Sequence, residues 1–112
     1  MKLIHQFELS ISDDKLLKYL LSDSQTKSTD KSKLFSLHGF HSENFSLLKN
    51  EIISIAERNE IESISENEFG IFYVVSGEIR SPDGKHLLLQ TIWHVLDKTK
   101  TARFVTAYPK KI

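Results

Sequence analysis

The residues best suited to chemistry gather in the carboxy-terminal part of the chain. Gln90 and His94 lie in the run 87–95, followed by Arg103, Thr106 and Tyr108 in 103–109. Histidine changes charge nearest neutral pH and therefore suits proton transfer. A fixed guanidinium offsets charge on a phosphate, while hydroxyl and amide groups position its oxygens. If 85–96 is extended, alternate side chains share a face. Leu87, Leu89, Thr91, Trp93 and Val95 then point one way and include the large apolar members, so that face should meet the helices. His86, Leu88, Gln90, Ile92 and His94 point the other way, onto the more open face. In the last run Thr106 and Tyr108 share a face, whereas Arg103 falls on the opposite one unless a bulge intervenes.

The other histidines carry less. His38 and His41 flank Gly39-Phe40, but no cysteine accompanies them and no carboxylate stands at a ligand interval, so no metal and no cofactor are expected. His5 suggests no chemistry of its own. No glycine-rich phosphate loop, nucleophile elbow or paired-carboxylate motif is present.

The 15 basic and 15 acidic residues sum to a net charge of zero, yet they are unevenly spread. Glu57, Glu60, Glu62, Glu66 and Glu68 crowd one stretch against Arg58 alone. Beyond Asp97 there is no acidic residue, while Lys98, Lys100, Arg103, Lys110 and Lys111 all lie there. Lys27, Lys31 and Lys33 add positive charge in an earlier stretch. Such local cations suit phosphate contacts whatever the global charge. Lysines at chain ends also keep edge strands from pairing with other molecules.

Several elements must position these groups. Residues 1–10 alternate loosely, as a short strand or extended arm. Ser12 is an N-cap before Asp13 and Asp14, and Leu16, Leu17, Leu20 and Leu21 predict a helix over 13–21. The Ser/Thr/Lys-rich stretch 22–33 reads as a surface loop. A short helix is expected over 31–38, ending at Gly39. From Ser42 a longer helix runs to Arg58, its stripe marked by Phe45, Leu48, Ile52, Ile55 and Ala56 and widened by Leu47 and Ile53. Strands follow over about 60–65, 69–75, 85–96 and 102–108, with a turn at Ser81-Pro82-Asp83-Gly84. The expected fold is α+β: N-terminal helices packed on one face of a C-terminal antiparallel meander. A single domain over 1–112 is expected, with a helical part over about 12–58 and a sheet part over about 60–109.

Composition narrows the function classes. The 112 residues are 39% hydrophobic and 27% charged and contain no cysteine. A disulfide scaffold, a thiolate metal site and a cysteine nucleophile are excluded. No apolar run approaches the ~20 residues that cross a bilayer, and the opening MKLIHQFELS lacks a signal-peptide core. A soluble cytoplasmic protein is expected.

Ordered pieces then suggest a family. Lys15-Leu16-Leu17-Lys18-Tyr19-Leu20-Leu21, Lys31-Ser32-Lys33-Leu34-Phe35 and Gly39-Phe40 come first. Gly70-Ile71-Phe72-Tyr73-Val74-Val75, Ser81-Pro82-Asp83-Gly84, Thr91-Ile92-Trp93 and Arg103-Phe104-Val105-Thr106-Ala107-Tyr108-Pro109 follow. From about Lys15 onward the chain resembles a small bacterial family classed as a domain of unknown function, whose members are often labelled "adhesin". The layout is similar to the barnase–EndoU–colicin–RelE group of small RNase toxins. That resemblance implies roles for Lys31, Arg103, Thr106 and Tyr108, to which His94 is added from the strand reading. The His/Glu pair of a barnase-like mechanism is missing, whereas toxin RNases that work with Lys, Arg and Tyr are compatible with this sequence.

The expectation is a small metal-independent endoribonuclease of toxin type. In it His94, Arg103 and Thr106 are catalytic, and Lys31, Tyr108 and Gln90 bind an RNA substrate. The alternative is a non-catalytic partner-binding protein of a toxin–antitoxin or immunity pair, with the acidic stretch 57–68 facing a basic partner. Either reading allows a small antitoxin or immunity protein as partner.

Overall fold

The structure is a computed structural model that describes residues 1–15, 39–96 and 99–109. In chain order its elements are β1 (Glu8–Ser10), α1 (Asp13–Lys15), α2 (Phe45–Arg58), β2 (Ser63–Asn67), β3 (Gly70–Arg80), β4 (His86–Val95) and β5 (Thr101–Pro109). Short 3-10 turns at Leu3–His5 and Ser42–Asn44 precede β1 and α2. The helix expected over 13–21 is described only to Lys15. The one expected over 31–38 lies outside the described residues, as does Lys31.

The strands form a five-stranded sheet in the order β1-β5-β4-β3-β2. Antiparallel pairing joins β2 to β3, β3 to β4 and β4 to β5, whereas β1 runs parallel to β5. This corrects the expected arrangement of N-terminal helices on a C-terminal antiparallel meander. A strand precedes the helices, the sheet is mixed, and the described chain is mostly β, with α2 its one long helix. The physical reason is that a parallel pair is joined by a long crossover and leaves no turn signature in the sequence. The short strand or arm expected within 1–10 is described as a strand over Glu8–Ser10, but its alternation does not say which strand it joins.

Alternation in β3 and β4 sets the core. Tyr73, Val75 and Ile79 of β3 and Leu89, Trp93 and Val95 of β4 are buried on one face. On α2, Leu48, Ile52, Ile55 and Ala56 recur at helical spacing and are buried against that face. Leu3 and Ile11 of the amino-terminal arm join the same core, and the Phe7 ring packs 5.4 Å from Tyr73. The end of α2 seats closely on β3. Asn59 closes the helix through its backbone N–H and side-chain amide, which both donate to the Ile55 carbonyl, at 3.0 and 2.9 Å. A Cβ on Gly77 would come within 2.4 Å of that amide, so any larger residue there would have to displace the Asn59 side chain from its bond to Ile55.

One polar chain runs through this core. The Trp93 indole N–H donates to the Thr91 hydroxyl at 2.9 Å, and that hydroxyl donates to the Val75 carbonyl at 2.6 Å. Thr91 and Trp93 are both 0% exposed, so each polar group needs the other. The Trp93 ring also meets Phe104 of β5 edge-on, with centroids 5.5 Å apart.

Candidate functional site

The opposite face of the sheet carries the candidate residues, and an irregularity in β5 is what assembles them. Trp93 pairs with Phe104 and Ile92 with Thr106, so Val105 is an extra residue without a partner on β4. This β-bulge resets the alternation. Phe104 stays in the core before the bulge and Ala107 after it, while Arg103, Thr106 and Tyr108 fall on one face. A regular strand would have separated Arg103 from the two hydroxyls.

The registers place these side chains in rows across the open face. Arg103 is opposite His94, Thr106 opposite Ile92 and Tyr108 opposite Gln90. The first row extends in both directions. His94 is opposite Phe72, which is opposite Ser65, and Arg103 is flanked on its other side by Ser10 of β1. Directly opposed residues on one face lie within side-chain reach. The fold thus brings Gln90, His94, Arg103, Thr106 and Tyr108 onto one face, with Arg103 between His94 and Ser10. Arg103 is exposed and His94 half-buried.

His94 is held from the side away from Arg103. Its Nε2 lies 2.6 Å from the Phe69 carbonyl oxygen, and its ring sits 4.6 Å from that of Phe72, tilted by 31°. On the other side, Ser10, Ser12, His94, Arg103, Phe104 and Val105 line a cleft of about 410 Å³. The space suits a phosphate group, and its lining offers a fixed cation, an imidazole and two hydroxyls.

Sequence reasoning missed Ser10 and gave Ser12 only a capping role. Neither serine has a local signal for the cleft, because the parallel pairing that delivers Ser10 to Arg103 is non-local. Of the cations proposed for phosphate contacts, Lys100 and Arg103 are described and exposed. Lys27, Lys31, Lys33, Lys98, Lys110 and Lys111 lie outside the described residues. His5, His41 and His86 are exposed and stand away from this row, and His86 approaches Glu78 at 4.0 Å. Among the described residues no group of three or more His, Asp or Glu is placed to hold a metal ion. Among them, too, no helix is long and apolar enough to cross a membrane.

The acidic stretch takes a different position. β2 is exposed along its whole length and forms an edge of the sheet. Glu66 lies on it, with Glu62 just before and Glu68 just after, all exposed. Ile64 and Phe69, 59% and 66% exposed, add apolar surface there.

Comparison with known proteins places the chain in a family. Residues 2–111 match the family described as "Domain of unknown function (DUF6883)", and the chain belongs to it. No curated protein matches the chain. A chain in the solved structure "Contact-dependent growth inhibition toxin - immunity protein complex from Klebsiella pneumoniae 342" is similar in fold, with a TM-score of 0.72 at 18% identity. The match covers 89% of this chain and 98% of that one.

Proposed function

We propose that this member of the DUF6883 family is a small metal-independent endoribonuclease of bacterial toxin type, with its site on the open face of the sheet. The observation that carries the reading is the bulge at Val105, which sets Arg103 opposite His94 and on the same face as Thr106, Tyr108 and Gln90. Folding alone does not call for a guanidinium and an imidazole side by side at the mouth of a cleft.

The chemistry follows from the side chains present. As the 2′-hydroxyl oxygen of the RNA bonds to phosphorus, the bond from phosphorus to the 5′ oxygen breaks. A 2′,3′-cyclic phosphate and a free 5′-hydroxyl result. His94 accepts the proton of the attacking hydroxyl and returns one to the leaving oxygen, so the imidazole ends as it began. Arg103 offsets the charge that accumulates on the phosphoryl oxygens, and Thr106, Ser10 and Ser12 position them. Gln90 and Tyr108, farther along the face, hold the flanking nucleotide. The family resemblance adds Lys31 as a second cation. The likeness to a chain from a toxin–immunity complex supports a toxin-associated or immunity-type role with a small protein partner, and the RNA target rests on the side chains of the open face alone.

A second reading is favoured by β2. Its full exposure, acidic neighbours and apolar Ile64 and Phe69 suit a non-catalytic partner-binding protein that presents carboxylates to a basic surface. One assay separates the two: purified protein incubated with RNA in the presence of a metal chelator. The nuclease reading expects fragments with cyclic phosphate ends. Intact RNA, together with a tight complex formed with a neighbouring gene product, would transfer the weight to the partner-binding reading.

A further inference from the structure

The turn between β2 and β3 reaches the candidate site through the hydrogen bond between the Phe69 carbonyl and His94. A carbonyl oxygen can only accept, so the 2.6 Å contact from Phe69 requires that His94 Nε2 carry hydrogen. In the neutral ring, Nδ1 is then the nitrogen with a free lone pair. Three further features hold this arrangement. The Phe69 N–H donates to Asn67 Oδ1 at 2.8 Å, which fixes the peptide just before the carbonyl in question. The Phe72 ring lies 4.6 Å from the imidazole and limits its rotation. Gly70 adopts φ +128°, a conformation that favours glycine. A Cβ there would lie 2.8 Å from His94 Nε2 and 2.6 Å from the Val95 carbonyl oxygen.

From this geometry we infer that the Phe69–Gly70 turn is the positioning device of the site. It locks His94 as the Nε2–H tautomer, so that Nδ1 is the atom that exchanges the substrate proton. The inference deepens the nuclease reading and rests on it for the proton's origin, but the tautomer is a property of the free protein. Gly70 and the Phe69 carbonyl touch no substrate and act through His94, as the orienting group does behind a general base.

The test is a long-range ¹H–¹⁵N spectrum of the imidazole rings in the full chain, with His94 assigned by comparison with His94→Gln. The expected result is Nε2–H at His94 in the native protein. In Gly70→Ala a mixture of tautomers should appear, with kcat for RNA cleavage lowered roughly 10²-fold and KM unchanged. Phe72→Leu, which keeps an apolar group but removes the ring, should shift the tautomer in the same direction if Gly70→Ala does not fold. A native His94 protonated on Nδ1 would overturn the inference, as would variants with a mixed tautomer and an undiminished kcat. If native protein with Nε2–H leaves RNA intact, the tautomer lock stands and the nuclease reading fails.

Discussion

The two faces of the sheet use their polar groups in opposite ways. On the covered face the Trp93 indole, the Thr91 hydroxyl and the Val75 carbonyl satisfy one another in a closed chain. Among the described residues no buried side-chain nitrogen or oxygen lacks a partner. On the open face the cross-strand row Ser10, Arg103, His94 and Phe72 sets a guanidinium and an imidazole at the mouth of a cleft. The bulge at Val105 makes the two faces compatible, because it keeps Phe104 and Ala107 in the core while aligning Arg103, Thr106 and Tyr108 outside it. The side chains that build the core and those proposed to act on a substrate thereby lie on opposite sides of one strand.

That separation predicts distinct outcomes for substitutions on the two sides. The largest effect belongs to the core. Trp93→Ala should lower stability by about 3–5 kcal/mol, measured by urea denaturation, and should abolish any activity through unfolding. A smaller loss is expected from Thr91→Val, which keeps the volume but leaves the indole N–H without an acceptor. Its cost should be about 1–3 kcal/mol, and a neutral result would show that the buried chain is dispensable. Smallest is Ser10→Ala, which removes one hydroxyl from the cleft. Denaturation should leave its midpoint unmoved, while RNA cleavage falls several-fold, as suits one hydrogen bond of about 0.5–1.5 kcal/mol. Equal cleavage would remove β1 from the site.

The same contrast governs how much the sequence revealed. The faces of β4 were legible because Leu89, Trp93 and Val95 alternate with Gln90, Ile92 and His94 without interruption. The apolar stripe of α2 was legible for a similar reason, since Leu48, Ile52, Ile55 and Ala56 keep helical spacing. The bulge in β5 was legible only as a condition, because Val105 has no side-chain property that marks it as the extra residue. β1 beside β5 was not legible at all: a parallel partner far away in sequence leaves no local trace, and this is where the expected all-antiparallel meander failed. The hold on His94 was equally invisible, since it comes from a backbone carbonyl at Phe69. Lys31, drawn from the family resemblance, lies outside the described residues.

The central claim is that the open face performs chemistry which the fold does not need. Arg103→Ala tests it most directly, with RNA cleavage and urea denaturation measured on the same preparation beside the native protein. The expected result is a fall in cleavage of about 10²–10³-fold with stability held within about 0.5 kcal/mol. Equal cleavage by both proteins, or no cleavage by the native chain, would contradict it.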